Sequence, residues 1–160
     1  MDKKYYEEKI MQATPMGLVI ISYEMLLESL DLAVKTVETD NEQAGKHIMQ
    51  AQNVLRSIMS GLNLDIELSN ELLDIYMYIN AILIDCQIKC HRVEGATFVA
   101  ENVAHLTELL NSLLDGIKAV PDTDLPAVAL SQQIHAGMTY DKDGNLSEFI
   151  QQDPSKTYQA

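Results

Sequence analysis

One stretch of the chain, residues 14–37, constrains the fold more than any other. Its apolar residues recur at alternating steps of four and three, which is the spacing of one face of an α-helix. The members of this face are Met16, Ile20, Tyr23, Leu27, Leu30, Val34 and Val37. Further apolar residues occupy the other faces: Leu18, Val19, Ile21, Met25 and Leu26. A helix that is apolar nearly all round needs more cover than one neighbouring helix supplies, so it lies centrally in a bundle or binds a partner.

Three later segments also have helical periodicity, over about 41–62, 70–91 and 95–120. The first and last of these carry one apolar stripe over a polar face. The segment 70–91 is different, because it has apolar residues beyond its main stripe: Leu73, Ile75, Met77, Ile82, Ile84 and Ile88. The helices at 14–37 and 70–91 are therefore the candidates for contact with a partner.

Local signals place the ends of these helices. Thr14 can cap the first long helix, and Pro15 is tolerated at its first helical position. Gly95 is well placed for a left-handed cap at the end of the helix 70–91. Candidate caps at the start of that helix are Asp65, Glu67 and Ser69.

These elements predict an all-α fold, an antiparallel four-helix bundle, because short links make consecutive helices antiparallel. At 160 residues a single domain is expected. We expect residues 14–120 to form the bundle, residues 1–13 to form an amphipathic N-terminal lead, and residues 121–160 to form an extended, acidic C-terminal tail with a short helix over 123–133.

The formal net charge of −13 argues against binding to nucleic acid or to an anionic membrane surface. A protein partner or a small molecule remains. The N-terminal residues lack the apolar core of a signal peptide, and no apolar run is long enough to span a bilayer. The sequence therefore predicts a cytoplasmic protein.

Two cysteines, Cys86 and Cys90, lie four residues apart in a helical segment. At that spacing the Cβ atoms stand about 5–6 Å apart, too far for a disulfide, so we expect reduced, buried thiols. With His91 they approach a haem-attachment motif, but the motif has one residue too many.

Two other patterns approach metal sites without completing one. Glu101 and His105 are four residues apart on a helix, yet the Glu-x-x-His motifs of di-iron bundles are absent. Residues 141–145 open like a calcium loop, but Leu146 and Gln152 stand where the loop needs glycine and glutamate; an Asp-Gly turn is the better interpretation. We predict no metal, no cofactor and no enzymatic activity.

Five tyrosines lie on the lead and on the two strongly apolar helices: Tyr5, Tyr6, Tyr23, Tyr76 and Tyr78. Core tyrosines whose hydroxyls reach a polar partner would explain them. Anchors for a bound peptide would explain them equally, because tyrosine supplies contact area at low entropic cost. From the residues alone both interpretations stay open.

Several motifs in order resemble the flagellin export chaperones, the FliS family. They are Tyr6 with Ile10, Gln12-Ala13-Thr14-Pro15 with Leu18, Ile21-Ser22-Tyr23-Glu24, Ala51 to Leu55, Ile58 to Asn63, and Ile75-Tyr76-Met77-Tyr78-Ile79-Asn80 with Leu83. The resemblance covers roughly residues 5–120. This sequence departs from the family in having no tryptophan, no basic residue at Ala33 and Val34, and a longer tail.

The resemblance implies a cytoplasmic four-helix bundle that binds the C-terminal segment of flagellin, prevents premature polymerisation and delivers the subunit to the flagellar export apparatus. The client-binding residues that we expect are Tyr5, Tyr6, Ile10, Leu18, Ile21, Tyr23, Met25, Tyr76, Tyr78 and Ile82. We also expect the lead, or part of the tail, to cover the client groove until the client displaces it.

Two other classes stay open. One is a generic helical-bundle adaptor or self-associating protein, with a homodimer among its forms. The other, which the missing motifs disfavour, is a bundle enzyme with a bound cofactor.

Overall fold

The computed structural model describes residues 3–119 and two short segments, 139–140 and 146–147. The five helices are α1 (Lys3–Met11), α2 (Pro15–Val37), α3 (Asn41–Ser60), α4 (Glu67–Lys89) and α5 (Gly95–Ala119). Two short strands, β1 (Thr139–Tyr140) and β2 (Leu146–Ser147), pair antiparallel. The helix predicted at 123–133 and the turn predicted at 143–145 lie outside the described residues.

The four long helices form the predicted antiparallel bundle. α2 packs against α3 and α5, and α4 packs against the same two helices from the opposite corner. Contacts between α4 and α5 show the antiparallel course, because Tyr78 meets His105 whereas the later Lys89 meets the earlier Phe98. α1 lies outside this square, against α2. The all-α bundle predicted from periodicity is confirmed.

The start of α2 follows from its capping residues, as predicted. The Thr14 side chain accepts a hydrogen bond of 3.1 Å from the backbone N–H of Gly17, and Pro15 is the first helical residue. At the start of α3, Asp40 accepts a hydrogen bond of 2.9 Å from the N–H of Gln43. Each cap satisfies a backbone donor that the first helical turn leaves without a partner.

The start of α4 differs from the prediction. The helix begins at Glu67, after Ile66, and no side chain caps it. Ser69, a predicted cap, lies inside the helix and is buried. Instead the side-chain amide of Asn70 donates to the carbonyls of Leu64 and Ile66, at 3.0 and 3.1 Å. A polar side chain after the start therefore stabilises the turn.

The role predicted for Gly95 was wrong. Its φ lies outside the left-handed range, and it is the first residue of α5 rather than a cap of α4. A Cβ at this position would lie 2.8 Å from the carbonyl oxygen of Cys90 and closer still to that of Lys89. Glycine is therefore required here by the close approach of the preceding turn.

One continuous apolar core fills the bundle and includes Tyr6 from α1. Its largest fully buried side chains are Tyr23, Tyr76, Met25, Leu26, Leu30, Ile48, Leu55, Ile58, Ile79, Leu83, Leu106 and Leu110. Cys86 and Cys90 are buried in it as free thiols, as expected. Burial raises the pKa of the Cys86 thiol to about 11. Among the described residues, no helix is long and apolar enough to cross a membrane.

Candidate partner-binding surface

A buried aromatic side chain and polar contacts join α1 to α2. The Tyr6 hydroxyl donates to a carboxylate oxygen of Glu28 at 2.7 Å, and the Lys9 ammonium lies 2.8 Å from Glu24. Burial and the hydrogen bond to Glu28 raise the pKa of the Tyr6 phenol. Ile10 is half-buried against the core. α1 is nine residues long, and a helix this short depends on its packing against the rest of the protein for stability.

α1 covers the side of α2 on which several predicted client residues lie. Ile21 is three residues before Glu24 and seven before Glu28, so the three side chains share one helical stripe. Since Tyr6 and Lys9 contact that stripe, α1 overlies Ile21. Ile21 is buried in the structure, as are its neighbours one turn away, Leu18 and Met25.

Tyr23 and Tyr76, two further predicted client residues, meet in the centre of the bundle. A hydrogen bond of 2.5 Å joins their hydroxyl oxygens across the diagonal from α2 to α4. Both rings are buried, and burial raises the pKa of both phenols. The core interpretation of these tyrosines is the one that the structure shows; a client contact would require the bundle to open.

Tyr78 and Ile82 lie on the outside of α4, one turn apart. Tyr78 is 51% exposed, and Ile82 is half-buried. The Tyr78 hydroxyl is 3.1 Å from Nε2 of His105, and the two rings meet edge to face with centroids 6.2 Å apart. These two side chains thus form an accessible aromatic and aliphatic surface beside the α4–α5 seam.

Tyr5 is the remaining predicted residue, and it is half exposed at the edge of α1. Its ring packs edge to face against Tyr6, with centroids 5.2 Å apart, and the Lys9 ammonium lies 4.7 Å from its ring centre. The predicted residues therefore divide into three places: beneath and on α1, in the core, and on the surface of α4.

The prediction omitted a second exposed surface of α4. Met77, Ile84 and Ile88 are 58%, 44% and 54% exposed. Their apolar character was noted in the sequence, but the direction in which each side chain points depends on which flank of α4 faces α3 and which faces α5. A helical projection with the core stripe at its centre would have separated the two flanks.

The structure also locates the residues of the incomplete metal-site patterns noted in the sequence. Within residues 3–119, no three His, Cys, Asp or Glu side chains lie close enough to hold a metal ion. His105 bonds Tyr78, while Glu101 lines an open depression at the α4–α5 turn. Residues 141–145, the loop that resembles a calcium site, lie outside the described part of the chain.

The fold and these surfaces define a class: a small helical bundle with an N-terminal helix on one side and exposed apolar side chains along α4. Comparison with known proteins narrows the class. A family model described as "Flagellar protein FliS" matches residues 1–117. The chain belongs to this family.

A curated relative, the "Flagellar secretion chaperone FliS" of Bacillus subtilis (strain 168), is 30% identical over 86 residues. The alignment covers 53% of this chain and 65% of the relative. The chain is thus similar to somewhat less than two thirds of that protein's length.

Proposed function

We propose that this protein is a cytoplasmic export chaperone, without catalytic activity, that binds the C-terminal segment of flagellin. It keeps the subunit from polymerising prematurely and delivers it to the flagellar export apparatus. Family membership and the name of the curated relative support the proposal. The observation that carries it is the accessible apolar surface at Tyr78 and Ile82, outside the sealed core of the bundle.

The client surface that we propose has an open part and a covered part. Tyr78 and Ile82 are available in the free protein and can accept the apolar face of a client helix. The apolar side of α2 beneath α1 becomes available when α1 lifts. A surface with two such parts suits a client segment that is apolar along its length. The open part and the covered part would each bury a different stretch of the client.

A binding experiment with a matched control tests the open part. The purified full chain is titrated with a synthetic peptide of the flagellin C-terminal segment, and binding is measured by calorimetry. Because Tyr78 is exposed, Tyr78→Ser should leave the fold intact and weaken binding at least tenfold, about 1.4 kcal/mol. Val93→Ser, which removes a fully exposed apolar side chain at the α4–α5 turn, should bind like the wild type.

The proposal fails if the peptide does not bind the wild-type chain. It also fails in its placement of the surface if the Tyr78 and Val93 variants bind equally well.

A second experiment tests α1 as a cover. Tyr6→Ala removes the only α1 side chain among those described that is buried in the core, whereas Lys4→Ala alters an exposed side chain on the same helix. If α1 competes with the client, Tyr6→Ala should increase the fluorescence of a dye that binds apolar surface. The affinity for the peptide should also rise, because the gain from removing the cover outweighs the loss of Tyr6 as a client contact. Unchanged values for this variant, or for a chain lacking residues 1–11, would show that α1 does not cover the client surface.

A further inference from the structure

A furrow runs between α4 and α5, and apolar residues of α4 form its first side. Leu68, Ile75 and Ile82 are spaced seven residues apart, and Lys89 continues the same line. Because seven residues make nearly two helical turns, these side chains point in one direction. Lys89 lies over the ring of Phe98 on α5, so the whole line faces α5.

The second side of the furrow belongs to α5 and ends in small residues. Phe98, His105 and Ser112 are also spaced seven residues apart, and Gly116 follows one turn later. The first two contact α4, whereas Ser112 and Gly116 are exposed. A Cβ at Gly116 would meet none of the described residues within 4 Å. Bulky side chains therefore close the seam toward the α4–α5 turn, and small ones leave it open toward the end of α5.

The open half of the furrow suits an apolar occupant without negative charge. Leu68 is 48% exposed, and Ile75 and Ile82 are half-buried, so all three retain apolar surface. Exposed acidic residues follow both lines: Glu71 and Asp85 on α4, and Glu101, Glu108 and Asp115 on α5. Since like charges repel across a contact, an acidic segment would bind poorly here.

The C-terminal tail begins beside this open half. Ala119, the last residue of α5, follows Gly116 by less than one turn. Residues 120–124 span up to about 17 Å when extended. Packed helices are only about 8–10 Å apart, so this link is long enough to turn the chain back toward the furrow.

The part of the tail that follows this link has the composition that the furrow requires. The tail as a whole carries six acidic residues against two lysines, yet residues 125–138 contain none of either. The larger apolar residues of this segment are Leu125, Val128, Leu130, Ile134 and Met138. Its fourteen residues span about 21 Å as a helix and more when extended, which matches the distance of about 21 Å along α4 from Leu68 to Ile82.

The tether itself favours this segment over a free partner. A short link gives the segment an effective concentration on the order of 1 mM at the furrow. A contact with a dissociation constant of only about 0.1 mM is then formed about nine tenths of the time.

We propose that residues 125–138 occupy the furrow between α4 and α5 of the same chain. Because Ile82 lines the furrow and Tyr78 lies one turn away, the bound segment covers the open part of the client surface. The tail is thus a tethered competitor that the client displaces. The docking stands independently of the proposed function, whereas the competition rests on it.

A cysteine introduced in the furrow reports whether the furrow is occupied. Ser112→Cys places a thiol there, and Ala104→Cys places one on another exposed face of α5. The native Cys86 and Cys90 are buried, and burial raises the pKa of both thiols, so in the folded chain they react slowly with an alkylating reagent. Their alkylation would also detect any variant that unfolds.

Substitutions in the tail should uncover this thiol. Leu130→Asp combined with Ile134→Asp places two negative charges in the segment, and it should speed alkylation of the Ser112→Cys chain roughly tenfold. The matched control, Phe149→Asp combined with Ile150→Asp, adds the same charge outside the segment and should leave that rate unchanged. Neither change should affect the rate of the Ala104→Cys chain.

Two results would overturn the docking. The first is a Ser112→Cys chain that reacts equally fast with and without the Leu130 and Ile134 substitutions. The second is protection that increases with protein concentration between about 1 and 100 µM, because a segment of the same chain protects independently of concentration. Such a result would assign the furrow to a second copy.

The competition is tested separately with the flagellin peptide. In the chain with native Ser112, the Leu130 and Ile134 substitutions should increase the affinity for the peptide roughly tenfold. Equal binding to this variant and to the wild type would overturn the competition. A peptide that binds neither chain would instead contradict the proposed function, and the alkylation rates would still decide the docking.

Discussion

Tyr23 and Tyr76 illustrate how one pair of residues can satisfy the polar needs of an apolar core. Their hydroxyls have each other as partners, and within the described residues neither makes another side-chain hydrogen bond. A buried hydroxyl without a partner costs about 1–3 kcal/mol. The pair therefore matters to stability more through the penalty of breaking it than through the bond alone.

Single and double phenylalanine variants of these tyrosines should show this coupling. Tyr23→Phe or Tyr76→Phe leaves one buried hydroxyl unpaired and should lower the free energy of unfolding by about 1–3 kcal/mol. The double variant leaves no hydroxyl behind and should be more stable than the sum of the single losses predicts. Urea denaturation of all four chains measures the coupling; additive losses would mean that the two hydroxyls act independently.

The tyrosines also show what a sequence can reveal at the scale of single residues. Helical spacing places Tyr23 and Tyr76 on the main apolar stripes of their helices but leaves open whether they lie in the core or contact a partner. It does not reveal that their hydroxyls meet, because the two residues are 53 positions apart and contact only when the bundle closes. By contrast, the exposure of Tyr78 depends on how the described helices α3 and α5 flank α4.

The raised pKa of Cys86 makes the free energy of unfolding depend on pH, and the direction of the shift gives the sign of that dependence. The thiol has a pKa of about 11 in the folded chain, against a reference value of 9.0, because burial disfavours the thiolate. Between those values the folded chain retains a proton that the unfolded chain has lost. The stability that this group contributes is present below pH 9 and is lost as the pH rises toward 11.

We therefore expect the free energy of unfolding to fall by roughly 1 kcal/mol between pH 8 and pH 9.5, a range below the ordinary pKa of tyrosine. The measurement is urea denaturation at several pH values. Cys86→Ala starts from a lower stability because it leaves a small cavity, but its stability should change less over the same range. Equal slopes for the two chains would exclude Cys86 as the source.

At the scale of the element, α2 and α4 have similar compositions and different surroundings. Both are apolar beyond one face, and sequence reasoning treated both as candidates for partner contact. Among the described residues, α2 packs against α1, α3 and α5 and is buried over most of its length, whereas α4 packs mainly against α3 and α5 and meets α2 at the Tyr23–Tyr76 hydrogen bond. Periodicity does not reveal how extensively each helix is packed by its neighbours. That packing decides how much of its additional apolar surface remains exposed.

The helix bounds show the same dependence on local signals. α2 begins where a capping threonine and a proline occur together, and these predicted its start correctly. α4 begins three residues before the predicted position of Asn70, because no side chain marks its start and Asn70 acts from within the helix. Ends that lack a strong cap depend on tertiary contacts, which sequence patterns report only weakly.

The turn between α4 and α5 permits a prediction with an internal control. Gly95→Ala would push a Cβ into the carbonyls of Lys89 and Cys90, so we expect a loss of about 1–3 kcal/mol in the free energy of unfolding. Gly116→Ala, near the end of the same helix, meets none of the described residues within 4 Å and should gain about 0.5–1 kcal/mol. Thermal denaturation compares them; a Gly95 variant as stable as the wild type would mean that the turn relaxes freely.

At the scale of the whole molecule, charge is the dominant long-range effect. The chain has 24 acidic residues against 11 lysines and arginines. Four lysines in the described part of the chain pair with carboxylates, and three of these pairs are exposed and four residues apart on a helix. Exposed pairs contribute about 0–1 kcal/mol each, whereas the excess negative charge acts over the entire surface.

These two effects respond to salt in opposite directions, which allows an experiment to show which is larger. Salt weakens the ion pairs, but it also screens the repulsion among the excess carboxylates. At pH 7 we expect the repulsion to dominate, so raising sodium chloride from about 20 to 300 mM, which shortens the screening length to less than 10 Å, should increase the free energy of unfolding measured in urea. At pH 5.5, closer to the isoelectric point of about 4.5, the repulsion is weaker and the increase should shrink. A fall in stability with salt at pH 7 would show instead that the ion pairs, including Lys9–Glu24 beneath α1, contribute more than the excess charge costs.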